Sequence, residues 1–169
     1  MNIVLTGFMG TGKSAVSRML SKKLDWQLID TDSMIEKDTG MKISDIFEKK
    51  GESHFRNLET KAVQLVSLSD KAVISCGGGV VLREENMKAL ETGGFVVCLT
   101  ASPETIYNRI KSNKDRPLLN VADPTAQIKE LLDARQKFYD RCHLLIDTSV
   151  LTIEQIVEKI LSDNRVCLS

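Results

Sequence analysis

The sequence lacks an excess of charge of either sign. Its 23 lysine and arginine residues are balanced by 23 aspartate and glutamate residues, so the formal net charge is zero at neutral pH. Proteins that bind nucleic acids or membrane surfaces usually carry a basic excess. The charge balance gives no support to either partner, and we expect neither a nucleic acid nor a membrane among the ligands.

Long apolar runs and clustered cysteines are also missing. No stretch approaches the roughly 20 apolar residues of a membrane span, and the first apolar run has no basic lead of the kind that a secretory signal carries. The four cysteines, at positions 76, 98, 142 and 167, have neither zinc-ligand nor C-x-x-C spacing. These absences predict a cytoplasmic protein with reduced thiols. Because no repeat or linker divides the sequence, we expect one domain over residues 1–169. We also expect a monomer.

A phosphate-binding motif is the clearest feature that the sequence does contain. Residues 7–14 read GFMGTGKS and match the pattern of a glycine, four free positions and Gly-Lys-Ser. A short apolar stretch precedes the motif and a helical pattern over residues 15–24 follows it. Lys13 would reach the β- and γ-phosphates, and the Ser14 hydroxyl would bind Mg²⁺. A ligand-free glycine-rich turn is the alternative, but the flanking elements favour a nucleotide site.

Short apolar runs alternate with longer helical patterns along the chain. The runs that we predict to be strands are residues 3–5, 27–29, 72–75, 95–99 and 144–146. Their β-branched content and lack of polar alternation are typical of strands buried on both faces. The alternation predicts an α/β fold of three layers, with a parallel sheet between two layers of helices. Such sheets bind ligands at the carboxyl ends of their strands.

Two aspartates, Asp30 and Asp32, follow the second predicted strand. At positions i and i+2 both carboxylates are expected on the same side, where one could hold Mg²⁺ through water and the other could meet a substrate hydroxyl. The alternative is that Asp32 or Ser33 caps a helix over residues 34–38. Beside a phosphate loop, the functional interpretation is favoured.

Two helices, broken near Gly51, are predicted for residues 42–68. The second carries Arg56 between Glu52 and Glu59 on one helical face. This arrangement is either a surface ion-pair ladder or an arginine held in position to bind a carboxylate or phosphate.

Three consecutive glycines, Gly77, Gly78 and Gly79, follow the third predicted strand. Such a run favours a close backbone approach or an anion-binding turn, whereas a simple turn needs only one or two glycines. Many nucleotide-binding proteins have an aspartate here. Because this chain has none, Ser75 would have to serve the water shell of Mg²⁺. Cys76 is predicted to be a small buried residue.

A polar stretch between two predicted helices, residues 111–124, is predicted to be a mobile lid, and it contains Arg116. The helix before it, residues 102–110, has Ser102 as its predicted cap. Arg109 lies near the end of that helix, where a cation is favourable on dipole grounds alone.

The helix predicted for residues 125–139 carries a charge on its apolar stripe. Arg135 lies three and four residues beyond two leucines of that stripe, so its side chain is expected to face inward. An inward-facing charge requires a partner. The partner is either a buried acid or an anionic ligand, and the ligand is favoured.

Taken in order, these features resemble the shikimate kinase family. The residues that carry the resemblance are the GFMGTGKS loop, the Asp30 and Asp32 pair, Glu52-x-x-Phe55-Arg56, the triple glycine, the RPLL tetrapeptide at residues 116–119 and Arg135. The resemblance extends from residue 2 to about residue 161. It implies a nucleoside-monophosphate-kinase-like P-loop fold, with a five-stranded parallel sheet in the order 2-3-1-4-5. The implied reaction transfers the γ-phosphoryl group of ATP, with Mg²⁺, to the 3-hydroxyl of shikimate, a step of aromatic amino-acid (chorismate) biosynthesis.

The resemblance also implies a role for each matching residue. Catalytic roles fall to Lys13, Asp32 and Arg116. ATP contacts are implied for Gly10, Thr11, Gly12, Lys13, Ser14, Ala15, Arg109 and Arg116, with Arg109 stacked on the adenine. Shikimate contacts are implied for Asp32, Arg56, Gly77, Gly78, Gly79 and Arg135, the two arginines chiefly through its carboxylate. Ser14 would ligate Mg²⁺ directly, and Asp30 and Ser75 would act through water.

The resemblance has one departure and leaves two rival functions. Many family members place a proline after the last strand, against the adenine, and residues 149–153 contain none. A kinase for another small molecule, such as gluconate or a nucleotide, is the first rival, and the two arginines with the triple glycine count against it. The second is a nucleotide-binding regulatory module without catalysis. Asp32 and Arg116 count against that module. Residues 33–61 are the expected substrate-binding helical region.

Overall fold

A parallel β-sheet forms the centre of the molecule. In the computed structural model, which describes residues 1–111 and 122–166, five parallel strands pair in the order β2-β3-β1-β4-β5. The strands are β1 (Asn2–Gly7), β2 (Gln27–Asp30), β3 (Ala72–Ser75), β4 (Gly94–Thr100) and β5 (Leu144–Asp147). The predicted α/β class and the order 2-3-1-4-5 are confirmed, and all carboxyl strand ends meet at one edge of the sheet.

Eight α-helices connect the strands within the described residues. They are α1 (Lys13–Leu24), α2 (Thr31–Thr39), α3 (Ile43–Lys50), α4 (Glu52–Val66), α5 (Glu84–Gly93), α6 (Pro103–Ile110), α7 (Pro124–Tyr139) and α8 (Ile153–Leu161), and a single 3-10 turn covers Val80–Leu82. Gly51, with φ of 81°, separates α3 from α4 as predicted. No helix of the described ranges has the length and apolar character needed to cross a bilayer.

Helices cover both faces of the sheet, which gives the predicted three layers. Successive side chains of a strand point to opposite faces, so Ile3 and Leu5 of β1 face one layer and Val4 faces the other. The Ile3 face packs against α1 and α8, through Val16, Leu20, Ile156, Val157 and Ile160. The Val4 face packs against α4, α5, α6 and α7, through Val63, Val66, Met87, Leu90, Ile106 and Ile128.

The two edge strands contradict the prediction that every strand is buried on both faces. Leu28 of β2 is 37% exposed and Leu145 of β5 is 46% exposed, whereas every residue of β1 and β3 is buried. An edge strand has a neighbour on one side only, so the covering helices leave part of it open. A short apolar run does not reveal whether its strand lies at the centre or at the edge.

The helices α2, α3 and α4 surround a small apolar cluster of their own beside the sheet. Its buried members are Ile35, Ile46, Phe55 and Ala62. All of its buried members except Ala62 lie within the helical region that was expected to bind substrate, residues 33–61.

The ends of the predicted lid belong to helix termini. Lys111 follows the last turn of α6, and Asp123 accepts a hydrogen bond from the N–H of Ala126 at the start of α7. Ser102 caps α6 as predicted, accepting from the N–H of Thr105 at 3.2 Å. The rest of the predicted lid, residues 112–121 with Arg116, lies outside the described residues.

Candidate active site

The phosphate loop leaves β1 through glycines that no other residue could replace without strain. Gly7 has φ of 132°, and a Cβ there would overlap the carbonyl oxygen of Leu99 in β4. Gly12, at φ of 100°, lies in the left-handed region and leads into α1. No side chain of the described residues caps the first turn of α1. Its N–H groups and the positive end of its dipole therefore face the space outside the helix, which suits an anion.

The side chain of Lys13 folds back over its own loop. Its Nζ donates to the carbonyl oxygens of Gly7 at 2.7 Å and Phe8 at 2.9 Å. The Thr11 hydroxyl also donates to the Phe8 carbonyl, at 2.8 Å. The loop is thus held in its curled form by its own polar groups.

A cavity of about 400 Å³ opens at the carboxyl ends of β1, β2 and β3. It is lined by Met9, Gly10, Gly12, Lys13, Ser14, Ala15, Asp30, Asp32, Ser75, Cys76, Gly77, Gly78, Arg109 and Ile110. The cavity brings together most of the residues expected to bind nucleotide, metal and acceptor. Four of the expected site residues that the structure describes do not line it: Thr11, Arg56, Gly79 and Arg135.

The two aspartates reach this cavity by a different route from the one predicted. Helix α2 begins at Thr31, earlier than expected, and its cap is Asp30, whose Oδ1 accepts from the N–H of Ser33 at 2.9 Å. The alternative that Asp32 or Ser33 caps this helix is therefore wrong, because Asp30 is the cap. Asp30 is the last residue of β2 and Asp32 lies in the first turn of α2, so strand alternation does not relate the two carboxylates.

Asp32 is a carboxylate in an unfavourable environment. Burial raises its pKa above the ordinary value, the negative charges of Asp30 and Glu36 raise it further, and the positive charges of Lys13 and Arg56 oppose the shift. Its Oδ1 is buried and has no hydrogen-bond partner within the described part of the chain. That oxygen lies 2.6 Å from where a Cβ on Gly77 would be. This oxygen is enclosed against the glycine turn, while the residue as a whole lines the cavity.

Arg56 is held by two carboxylates of its own helix. Its Nη2 lies 3.0 Å from Oε1 of Glu52, and its Nη1 lies 2.9 Å from Oε2 of Glu59. The Arg56 side chain is 14% exposed and that of Glu59 is 1% exposed, so this is not a surface ion-pair ladder. Burial opposes the guanidinium charge, but Glu59 and Glu52 outweigh it and raise the pKa of Arg56. The guanidinium is fixed in charge and in direction.

The triple glycine places backbone where side chains would not fit. A Cβ on Gly79 would overlap the guanidinium of Arg56, with its Cζ only 2.6 Å away. The Gly77 N–H donates to Oγ1 of Thr31 at 3.2 Å, which joins the turn to the start of α2. A Cβ on Gly78 would lie 3.5 Å from the Gly7 carbonyl oxygen, so the turn also rests against the phosphate loop.

Arg135 and Arg109 approach the site from α7 and α6. Arg135 is half-buried, and its Cζ lies 5.9 Å from the ring centre of Phe8 in the phosphate loop. No carboxylate in residues 1–111 and 122–166 forms an ion pair with it. Arg109 donates to the side-chain and carbonyl oxygens of Thr148 at 2.9 and 2.7 Å, and so it is anchored to the segment after β5.

Four residues that sequence reasoning did not select hold the predicted ones in place. They are Thr31, Glu59, Tyr139 and Thr148. Glu59 was noted only as a neighbour of Arg56. Thr31 lies between the two selected aspartates, and that position was the only signal for it. Tyr139 and Thr148 act through contacts distant in sequence, which no local pattern reveals.

Cys76 and His143 have structural surroundings. Cys76 is buried, as predicted, and burial raises the pKa of its thiol, so it is not a ready nucleophile. His143 accepts from the Val96 N–H at 2.8 Å and stacks on Phe95. Neither residue adds chemistry to the cavity.

The fold and the site together define a P-loop kinase of small molecules. The phosphate loop follows β1, an acid at the end of β2 faces it, and an arginine with a glycine turn lies beyond. The sequence model of the shikimate kinase family matches residues 9–165, and the chain belongs to this family.

Curated relatives and solved structures agree with this assignment. The chain is 49% identical to the shikimate kinase of Thermodesulfovibrio yellowstonii, over 96% of this chain and 94% of that protein. It is 48% identical to the shikimate kinase of Caldicellulosiruptor bescii, over 95% of this chain and 94% of that one.

Among solved structures, the shikimate kinase of Acinetobacter baumannii in complex with shikimate superposes with a TM-score of 0.88 at 36% identity, over 95% of this chain and 90% of that one. The shikimate kinase of Aquifex aeolicus superposes with a TM-score of 0.83 at 37% identity, over 95% of this chain and 94% of that one.

Proposed function

We propose that this kinase transfers the γ-phosphoryl group of ATP to the 3-hydroxyl of shikimate, giving shikimate 3-phosphate and ADP. The observation that carries the proposal is the single cavity in which Lys13, Ser14, Asp32 and the glycine turn meet. Phosphoryl transfer passes through a loose transition state that mainly needs positioning and charge neutralisation. A cavity with a phosphate loop on one wall and an acid on the other supplies both.

The nucleotide would bind along the phosphate loop and toward α6. The phosphates would meet the backbone of residues 10–15, where the start of α1 is free of a side-chain cap. Lys13 would turn from the loop carbonyls to the β- and γ-phosphates. Arg109, anchored by Thr148, would stack on the adenine, although the family's proline on the other face is missing. Arg116 of the lid would add a second positive charge at the transferring group, and lid closure would exclude water.

The acceptor would lie between Asp32 and the two arginines. The carboxylate of Asp32 would accept the hydrogen of the 3-hydroxyl and orient its oxygen toward the γ-phosphorus, taking the proton late. Gly77, Gly78 and Gly79 would let the ring approach the backbone closely. Arg56 and Arg135 would bind the carboxylate of shikimate through planar guanidinium groups. The related Acinetobacter enzyme was solved with shikimate bound, which supports this choice of acceptor.

Magnesium fits the residues at the phosphate end of the cavity. Ser14, Asp30 and Ser75 all line it, which offers one hydroxyl for direct ligation and two groups for a water shell. The described residues contain no cluster of three His, Cys, Asp or Glu side chains that could hold a metal alone. Mg²⁺ is commonly held by few protein groups together with substrate phosphates and water, and the donors here match that pattern. The ion would neutralise the charge of the phosphates.

A kinase that uses ATP is expected in the cytoplasm.

An assay of acceptor specificity tests the proposal. Purified protein with ATP and Mg²⁺ is offered shikimate, gluconate or a nucleoside monophosphate in turn, and ADP release is followed by a coupled reaction. We expect turnover with shikimate that far exceeds the other two and the rate without acceptor. Faster turnover with another acceptor would identify a different small-molecule kinase, and nucleotide binding without turnover would identify a regulatory module.

A further inference from the structure

Thr148 is a buried residue whose hydroxyl lies between two parts of the nucleotide side of the site. The hydroxyl donates to the carbonyl oxygen of Thr11 in the phosphate loop at 2.9 Å, and it accepts a hydrogen bond from Nη1 of Arg109 at 2.9 Å. We propose that Thr148 is a positioning residue for ATP, which fixes the arginine beside the base relative to the loop that holds the phosphates. The inference rests on the proposed function, in which Arg109 stacks on the adenine.

The backbone around Thr148 is held by the sheet and by the start of α6. The Thr148 N–H donates to the Thr100 carbonyl oxygen at 2.8 Å, which extends the pairing of β4 with β5 by one residue beyond Asp147. The hydroxyl of the next residue, Ser149, accepts a hydrogen bond from the N–H of Ser102 at 2.9 Å. The hydroxyl of Thr148 therefore projects from a fixed support.

The Thr148 hydroxyl has one hydrogen and two carbonyl oxygens within reach. Those of Thr11 and Thr100 lie 2.9 and 3.0 Å away. The Thr100 oxygen already accepts the N–H of Thr148, so donation to Thr11 is the bond that adds a connection to the phosphate loop. The charged donor Arg109 polarises the hydroxyl and strengthens this bond. Arginine, hydroxyl and loop carbonyl thus form one chain of hydrogen bonds.

Arg109 has an exposed side chain and a guanidinium that is fixed in direction. Its Nη2 donates to the Thr148 carbonyl oxygen at 2.7 Å, and its Nη1 also reaches the Gly10 carbonyl oxygen at 3.3 Å. These bonds lie in the plane of the guanidinium, because its N–H groups do. They leave its two flat faces unused, and a flat face is what a purine ring stacks on.

One hydroxyl therefore connects the two ends of the nucleotide site. Arg109 represents the base end, and Thr11 lies in the phosphate loop between Gly10 and Gly12, which line the cavity. Because ATP has to contact both ends at once, a fixed spacing between them lowers the ordering cost of binding. The acceptor would lie beside Asp32 and the glycine turn, so we expect this spacing to matter for ATP and not for shikimate.

The variant Thr148→Val tests the inference because it keeps the shape of the side chain and removes the hydroxyl. We expect the KM for ATP to rise about 3- to 10-fold, as for the loss of one orienting hydrogen bond, with the KM for shikimate and kcat within about 2-fold. Thr148→Ser keeps the hydroxyl and should restore the KM for ATP. Thr92→Val is the matched control, since it removes a hydroxyl that bonds to the Lys88 carbonyl within α5. A lower melting temperature with an unchanged KM for ATP in Thr148→Val would show a purely structural role and overturn the inference.

A double-mutant cycle with Arg109 shows which end of the nucleotide the hydroxyl serves. If Thr148 acts by positioning Arg109, Thr148→Val should add little to the KM for ATP once Arg109→Ala is present. A full additional effect in that background would show that the hydroxyl only supports the phosphate loop, and the inference would be wrong. An unchanged KM for ATP in Arg109→Ala alone would refute the proposed stacking of Arg109 and the inference with it.

Inorganic tripolyphosphate, which has no base, gives an independent measurement of the same point. As an inhibitor competing with ATP, it should bind Thr148→Val and the wild type equally well, because it contacts the phosphate end alone. A loss as large as that for ATP would again limit the hydroxyl to supporting the loop and overturn the inference. Calorimetric titration of ADP into each variant, with melts that verify folding, gives the cycle without turnover.

Discussion

Asp32 shows a conflict between function and stability within one side chain. The carboxylate is buried, faces the negative charges of Asp30 and Glu36, and has one oxygen without a partner in the described residues. In the folded state its pKa lies above that of the unfolded chain, so the folded protein binds the extra proton more readily. The free energy of unfolding therefore falls as the pH rises from the pKa of the unfolded chain to that of the folded protein, and the loss is complete above the folded pKa. A group that costs stability at neutral pH is retained for what it does to a ligand.

We predict that Asp32→Asn stabilises the fold and inactivates the enzyme. The amide has the same shape and no charge to desolvate, so the melting temperature at pH 7 should rise. This gain should shrink toward pH 4, where the wild-type carboxyl also becomes neutral. Loss of the acid that orients the acceptor should lower kcat by about 10²- to 10⁴-fold, with little change in the KM for ATP. Thermal melts at both pH values and steady-state kinetics measure these effects.

Asp30→Asn is the matched control at the same end of β2. Asparagine is also a good helix cap, so we expect an unchanged melting temperature and a higher Mg²⁺ concentration for half-maximal rate. If the two variants changed every kinetic parameter equally, the proposed division of roles between the two aspartates would be refuted.

Lys13 is the second residue whose removal should separate activity from folding. Loss of its charge beside the transferring phosphoryl group should reduce turnover in Lys13→Ala by at least about 10²- to 10³-fold. Because Lys13 also donates to the loop carbonyls of Gly7 and Phe8, we expect a small decrease in melting temperature. Lys22→Ala, on the exposed side of α1, is the control and should match the wild type. Near-normal turnover in a folded Lys13→Ala enzyme would contradict the role of the loop.

The residues with chemistry were easier to predict from the sequence than the residues that orient them. Lys13 and Ser14 belong to a local motif with fixed spacing, and Asp32 follows a recognisable strand. Glu59 resembles any surface glutamate until its burial is known. Tyr139 resembles any core aromatic residue, because a hydrogen bond to a backbone carbonyl 61 positions away leaves no trace in local sequence.

At the scale of elements, the glycine turn after β3 and helix α4 are fitted to each other. The guanidinium of Arg56 occupies the space in which a Cβ of Gly79 would lie. Gly79 has φ of −98°, which any residue adopts. Its lack of a side chain therefore serves α4 and not its own backbone.

We predict that Gly79→Ala displaces Arg56 and leaves the fold intact. The methyl group meets the end of a side chain and not backbone, so the fold should still form, but displacing Arg56 removes the partner of the buried Glu59 carboxylate and should lower the melting temperature. The KM for shikimate should rise about 10-fold or more, because a guanidinium bond to a carboxylate is worth about 1.5–3 kcal/mol. The KM for ATP should be unaffected.

A second substitution provides the control for this prediction. In the Arg56→Ala background the space is empty, and Gly79→Ala should cost nothing further. If it were equally harmful there, the glycine would be needed for backbone contact with the substrate and not for room beside Arg56. Shikimate titration of the four proteins distinguishes these outcomes.

Elements were predictable where their signals are local. Ser102 with Pro103 predicts the start of α6, and Gly51 predicts the break between α3 and α4; the structure confirms both. Helix α5 was not predicted, because only the turn formed by the glycine run was assigned between the third and fourth strands. The start of α2 was placed too late, since Asp30 acts both as the end of a strand and as a cap. The exposure of β2 and β5 depends on strand order, which no single segment contains.

At the scale of the whole molecule, one sheet unites the apolar clusters on its two faces. Alternate residues of β1, β3 and β4 belong to opposite clusters, so the same strands contribute to the packing of both faces. The expectation of a single domain leads to a thermodynamic prediction. Calorimetry should show one transition, with calorimetric and van't Hoff enthalpies in agreement.

Ligands should shift that transition as a unit. Shikimate together with ADP, each at about 100 times its Kd, should raise the midpoint by roughly 10–20 °C, since each ligand then contributes about 2.7 kcal/mol. A first transition that responds to shikimate alone would show that the helices α2 to α4, with their own small cluster, unfold separately.

The ammonium of Lys13, resting on two carbonyl oxygens of its own loop, bears on how ATP would enter. The Lys13 ammonium binds the carbonyl oxygens of Gly7 and Phe8, so the loop can keep its curled shape before the nucleotide binds. When the nucleotide binds, Lys13 would leave these two carbonyl oxygens and bind oxygens of a phosphate instead. Because the phosphate loop would not have to be ordered, most of the entropic cost of that loop would have been met when the protein folded.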